Sequence, residues 1–353
     1  MIDKKKKIIT FFVLLIFVAG LVIAQEPYRR GTTAGNFLEI GYGSRGAAMG
    51  DAVVATTDDI ESVYWNPAGL ALMRKSAAAF SMQPWFVDIN TNFAAAALVF
   101  PRYGTFAFSF YQMDYGKEAV TTLDMQEGTG EHYSANDFAF SLSYARRLAQ
   151  WFAFGASGKF VTSNIWHSNA NALALDLGTM VNTFFFSPTG ERTDGLTIGM
   201  SISNYGTRMQ YQGMDLLRPI DPNPDQAGEF GNVEGQYKTQ SWELPLIFRI
   251  GIALHPIVTT NSRLTMEVNA LHPNNNSESV NFGGQYRYTL PSFGSFYLRA
   301  GYKGLFMPES EFGMSYGFGV LWRVGSLGMK LNYAFRDIGI LGNVNSYSFS
   351  LMF

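Results

Sequence analysis

Ser346-Tyr347-Ser348-Phe349-Ser350-Leu351-Met352-Phe353 sets Tyr347, Phe349, Leu351 and Phe353 on one side and Ser346, Ser348, Ser350 and Met352 on the other. A period of two belongs to an extended strand whose faces see different surroundings. The segment before it repeats the pattern, with Met329, Leu331, Tyr333 and Phe335 opposing Lys330, Asn332, Ala334 and Arg336. Further upstream, Met314, Tyr316, Phe318, Val320 and Trp322 alternate with glycines, Ser315 and Arg323, and Phe296, Leu298, Ala300 and Tyr302 alternate with Tyr297, Arg299 and Gly301.

The same template predicts strands over about 76–87, 91–100, 104–114, 133–146, 151–165, 169–184, 194–204, 240–254, 262–271, 279–290, 293–303, 313–323, 327–337 and 344–353. Several are ten or more residues long, as a tilted membrane-crossing strand requires. The count is about fourteen, an even number, and the connections divide by parity as in a bacterial barrel, with short turns on the periplasmic side and longer loops outside. The predicted inner turns are 101–103, 147–150, 187–193, 255–261, 291–292 and 324–326. The longest connections, 115–132 and 205–239, both fall outside. The fold class is therefore all-β: a transmembrane antiparallel barrel of about 14 strands, with a small N-terminal plug containing a short helix.

Composition agrees. The chain of 353 residues holds 30 Phe, 18 Tyr, 6 Trp and 36 Gly with only 15% charged residues, yet its mean hydropathy is +0.01. Helical membrane proteins gather their apolar residues into runs of about 20, whereas a barrel disperses them between lipid-facing and lumen-facing positions. A net charge of -2 offers nothing to a nucleic acid, and the absence of cysteine excludes disulfides and thiolate metal sites.

The division expected is a signal peptide over 1–24, a plug or hatch over 25–75 and the barrel over 76–353. Lys4 to Lys7 make a basic start, Ile8 to Ile23 an apolar run, and Val22-Ile23-Ala24 a cleavage site, with cut after Ala24 and delivery to the outer membrane of a Gram-negative-type cell. An uncleaved anchor is the alternative. Residues 31–75 alternate little. Asp58 to Leu72 suits a short helix with Thr57 or Asp58 as N-cap, so that Asp58, Asp59 and Glu61 are accounted for by the helix dipole rather than by a bound cation.

Motifs that look chemical are weak. Gly41-Tyr42-Gly43-Ser44-Arg45-Gly46 matches a dinucleotide fingerprint, but no strand–helix–strand unit surrounds it; a tight plug turn is the better reading. Gly313-Met314-Ser315-Tyr316-Gly317 matches a nucleophile elbow, yet no histidine follows it and Ser315 lies in an alternating strand. His132, His167, His255 and His272 are scattered at predicted strand ends and loops. No catalytic, cofactor-binding or metal site is expected, and the chain is not read as an enzyme. The alternation turns Arg249, Arg287, Arg299, Arg323, Lys330 and Arg336 inward, with Glu267 the clearest acid among them. A lumen that selects anions or holds an acidic cargo segment is one reading; the preferred one is that such charges would cost about 2–4 kcal/mol each facing lipid at mid-membrane. Trp85, Phe86, Trp151, Phe152, Trp166, Trp242, Tyr302 and Trp322 near strand ends read as interface girdles.

Phe37-Leu38-Glu39-Ile40, Arg45-Gly46-Ala47-Ala48-Met49-Gly50-Asp51-Ala52, Val54-Ala55 and Trp65-Asn66-Pro67-Ala68-Gly69-Leu70 resemble the plug of the PorV/PorQ family, relatives of the FadL transporters. The resemblance implies a FadL-like barrel whose N-terminal segment is an internal hatch, with Phe37, Leu38, Arg45, Met49, Gly50, Asp51, Trp65, Asn66, Pro67, Ala68 and Gly69 as its motif and the aromatic Phe353 as an assembly signal. It implies protein secretion of the type IX kind, with secreted cargo or secretion-machinery subunits as partners beside outer-membrane lipid. The alternative is transport of hydrophobic small molecules such as long-chain fatty acids. Pro67, lacking an N–H, should interrupt the helix near Trp65, and Asn66 should satisfy the freed backbone.

Overall fold

The computed structural model describes residues 29–222, 225 and 233–353; the leader expected over 1–24, with its cut after Ala24, lies outside them. Fourteen long strands alternate in direction around one closed sheet. They are β1 (Ala77–Pro84), β2 (Asn90–Phe100), β3 (Gly104–Ala119), β4 (His132–Ala149), β5 (Phe152–Ile165), β6 (Ser168–Asn182) and β7 (Thr197–Gly206). After the longest connection follow β8 (Ile247–Val258), β9 (Ser262–Pro273), β10 (Ser279–Leu290), β11 (Gly294–Leu305), β12 (Met314–Val324), β13 (Leu327–Asp337) and β14 (Asn343–Met352). Each pairs antiparallel with its sequence neighbours, β1 pairs with β14, and the ring has no free edge.

Most inward positions are small or polar, with Phe93 and Tyr111 among the large ones that meet the plug, and outward ones are mostly large and apolar, so the predicted alternation holds. On β14, Ser346, Ser348 and Ser350 are buried while Tyr347 and Phe349 are exposed to the lipid side. Short turns lie at 101–103, 150–151, 259–261, 291–293 and 325–326, and the longest opposite connections are 120–131 and 207–246, as parity requires. The inner connection 183–196 is longer than the others and carries the Asp194–Arg263 ion pair at 2.7 Å.

The eighth strand starts at Ile247, not near 240. Residues 242–244 are held elsewhere: Trp242 and Met209 exchange backbone hydrogen bonds, and Ala34 N–H donates to the Glu243 carbonyl at 2.9 Å. Trp242 is therefore part of the loop over the mouth and not of a girdle. β8 also runs on to Val258, through a register shift at His255-Pro256 where proline's missing donor is tolerated. His255 is thereby buried inside the barrel, its Nδ1 3.0 Å from the Thr265 hydroxyl, rather than placed in a turn.

The segment ahead of β1 fills the lumen. It enters at the outer mouth, where Arg29 and Arg30 pair with Glu243 and Glu309 of outer loops. It passes a 3-10 turn at Asn36–Glu39, helix α1 (Ser44–Ala48), helix α2 (Ser62–Trp65) and a second 3-10 turn at Pro67–Leu72, and leaves at the inner rim. Almost every residue from Gly41 to Leu70 is buried.

Candidate functional site, the plug and its seat in the wall

The expected single helix over 58–72 is two short turns with a break at Asn66-Pro67, as the proline dictates. Asn66 is extended; its Oδ1 accepts from Ala68 N–H at 3.1 Å, and its Nδ2 donates to the carbonyls of Val54 at 2.9 Å and Thr179 at 3.1 Å. One amide thus joins two stretches of plug and the wall. Gly41 and Gly46, the outer glycines of the fingerprint-like motif, flank the Trp65 indole so closely that an added Cβ would lie 2.4 and 2.5 Å from the ring. The motif serves packing. Ser315 of the elbow-like motif donates to the Ala48 carbonyl at 3.3 Å, in mid-strand.

Against β1 to β4 the plug presents side chains. Phe37 stacks on Tyr111 at 5.5 Å and Tyr42 on Phe93 at 3.6 Å between ring centroids. Leu38, Met49, Val63, Tyr64, Trp65 and Leu70 share one buried cluster with Ala95, Ala97, Ala107 and Ala139 of the wall.

Against β5 to β12 it presents backbone. A Cβ built on Gly155 would lie 2.4 Å from the Pro67 carbonyl carbon, on Gly199 2.3 Å from the Val54 oxygen, on Gly283 2.5 Å from the Met49 oxygen and on Gly301 2.1 Å from the Met49 carbonyl carbon. Gly178 makes room instead for the Asn66 amide and Gly317 for the Ala48 methyl. These glycines sit opposite one another across the ladder, Gly155 with Gly178, Gly199 with Gly251 and Gly283 with Gly301. They form a smooth inner belt that no other residue type would leave. Gly50 and Asp51 both take left-handed backbone, φ 60° and 63°, which turns the chain against Tyr302 and aims the Asp51 carboxylate at the wall.

There the ionic contacts begin. Asp51 accepts from Arg336 and from Lys303, the latter at 2.7 Å. Asp59 takes Lys330 at 2.9 Å and Arg45 at 3.2 Å, and Arg45 also reaches Asp58 at 2.9 Å and the Thr56 carbonyl at 2.6 Å. Glu267 of β9 accepts from Ala55 N–H at 2.7 Å and the Thr56 hydroxyl at 2.6 Å. Burial raises Asp51 and Asp59, but Arg336 with Lys303, and Lys330 with Arg45, outweigh it and hold both carboxyls low. Glu61 goes the other way: burial, then the Asp59 charge, push it up to about 7.

The acidic triplet is therefore not explained by a helix dipole, because α2 is four residues long and Glu61 makes no side-chain cap. Asp59 answers Lys330 of the wall, and Asp58 and Asp59 answer Arg45 within the plug. Of the basic residues expected to face inward, Lys330 and Arg336 meet the plug. Arg249 lies 5.4 Å over the Tyr64 ring, and Arg299 donates to Asn332 at 3.0 Å and Gln285 at 2.7 Å. Arg287 is half-buried, and Arg323, though of inward parity, is exposed at the inner end of β12. Lys303 was missed by the sequence reading; its signal was available, since it continues the inward parity of Arg299 and Gly301.

A model of the family described as "Type IX secretion system protein PorV" matches residues 23–223, more than half of the chain. The chain belongs to the PorV family. No curated protein matches it by sequence. Among solved structures, this PorV-family barrel is similar to the Pseudomonas putida toluene transporter TodX, with TM-score 0.54, 11% identity and 88% of this chain covering 96% of that one. It is similar also to a Pseudomonas aeruginosa FadL homologue, with TM-score 0.51, 11% identity and 88% covering 98%. The Ralstonia pickettii toluene transporter TbuX gives TM-score 0.53, 12% identity and 88% covering 97%. At these identities the likeness is one of fold: an outer-membrane barrel of FadL-like architecture.

Proposed function

We propose that this PorV-family barrel handles secreted protein at the outer membrane, as a stoppered scaffold whose outer loops carry the recognition. One observation supports this above the rest: the space between plug and wall is taken up by side chains on the β1–β4 side and by backbone laid on glycine on the β5–β12 side. What remains for a partner is the outer surface, dominated by connection 207–246 with its exposed hairpin Leu217–Ile220 and Val233–Gln236. The plug motif from Phe37 to Gly69 then acts as a fixed stopper, and Phe353 as the signal read during assembly. Replacing 217–236 by a short Gly-Ser linker is expected to leave the barrel folded and to abolish surface display of signal-bearing cargo. Unchanged display with no co-purifying partner overturns the reading.

A second reading is passage of hydrophobic small molecules, favoured by the apolar cluster that joins the plug to β1–β4. It predicts that a hydrocarbon or fatty acid displaces Phe37 or Tyr42 from that cluster; full growth on such compounds without this protein argues against it.

A further inference from the structure

Near the outer end of the barrel, β3 carries a bulge. Asp114 faces Asn136 and Lys117 faces Ser134, so Tyr115 and Gly116 together oppose the single residue Ala135. Gly116 takes φ 81°, and its N–H is held by the Asp114 carboxylate at 3.0 Å. The extra residue swings Tyr115 over the next inward position of β4, Asp137, and its hydroxyl donates to Asp137 Oδ2 at 2.6 Å. Asp137 is 7% exposed and sits directly across the ladder from Ser163, whose Oγ lies 2.6 Å from the Tyr211 hydroxyl of the outer loop. Tyr133 completes a cleft of about 320 Å3, with Glu118 at its lip.

Three tyrosines around a carboxylate make a negative, aromatic-walled space. Asp137 enters no ion pair among the described residues, and the neighbouring Lys117 is exposed. Elsewhere in this lumen the enclosed carboxylates Asp51, Asp59 and Asp176 each have a basic partner in the protein; Glu61 and Glu267 have none among the described residues, but Glu267 is met by the Ala55 N–H and Thr56 hydroxyl of the plug, whereas Asp137 lines an open cleft. We propose that the cleft is a binding site for an organic cation, an ammonium or guanidinium group that takes Asp137 as counter-charge and the rings of Tyr115, Tyr133 and Tyr211 as cation–π walls. This holds whichever role the loops play, because it needs only the bulge and the carboxylate. A lysine or arginine side chain of a protein segment and a free small cation share that chemistry.

The test uses the detergent-purified full chain with tetramethylammonium chloride, its neutral counterpart tert-butanol, and the peptide amides Gly-Lys-Gly and Gly-Arg-Gly, read by saturation-transfer NMR. Saturable tetramethylammonium binding is expected, weakened at least about tenfold, or about 1.4 kcal/mol, in Asp137→Asn. Tyr211→Ala, on a loop outside the ladder, is expected to weaken it with the barrel intact, so the site stays testable if Asp137→Asn fails to fold. Peptides that bind more tightly than tetramethylammonium assign the cleft to a protein side chain; peptides that bind no better assign it to a free cation. Equal affinity for tert-butanol, affinity unchanged in a folded Asp137→Asn protein, or no saturable binding of any charged probe overturns the proposal.

Discussion

The two halves of the wall hold the same plug by different physics. From β1 to β4 the contact is side chain on side chain, a mixed aromatic and alanine core. From β5 to β13 it is backbone on glycine, fastened by buried charges. The first kind tolerates exchange of one apolar shape for another of equal volume. The second does not, because the atoms facing Gly155, Gly199, Gly283 and Gly301 are main-chain atoms that cannot rotate away and the buried charges have no water to fall back on.

The largest effect is expected where a side chain is forced into the belt. Gly301→Val places carbon atoms against the Met49 carbonyl and should cost at least about 3 kcal/mol, at the upper end for overpacking. Loss of the heat-modifiable folded band on gels, or a barrel that has become conducting in planar bilayers, would register it; a folded, sealed protein of unchanged melting temperature would erase the distinction between the halves. Asp51→Ala leaves Arg336 and Lys303 buried without their shared acid, a loss of about 3–5 kcal/mol, read as a fall in melting temperature. Asn66→Ala strands two carbonyls and an N–H, about 1–3 kcal/mol. At the small end, Leu70→Met on the apolar side keeps volume and should cost less than about 1.5 kcal/mol.

A pH series sharpens the ionic half. Between the ordinary carboxyl value of 4.5 and about 7, Glu61 in the folded protein binds a proton that the unfolded chain has released. Its contribution to stability is therefore fully present below pH 4.5 and falls as pH rises through 7. Glu61→Gln should match the natural protein at pH 4.5 and exceed it in melting temperature at pH 8. An equal gap at both pH values would show that Glu61 does not titrate in that window.

Strands and turn parity were legible because alternation is a local pattern and lipid enforces it on every strand. The break at Pro67 and the bonding of Asn66 were legible for the same reason: both follow from the residue itself. The seat of the plug was not. In the strand pattern Gly283, Gly301 and Gly317 read only as inward spacers, since nothing in their neighbourhood says that Met49 or Ala48 will lie on them. Asp59 and Lys330 are 271 residues apart, and the local context of Asp58, Asp59 and Glu61 favoured a helix end that turned out one turn long. Long-range charge pairing leaves no periodic trace.

The ring closes where β1 meets β14, with the Phe353 N–H bonded to the Ser76 carbonyl, so the seam joins the segment that follows the plug to the end of the last strand. The stopper is thus covalently continuous with one side of the seam, so a strain at the plug's exit near Ser76 falls directly on the pair of strands that closes the ring.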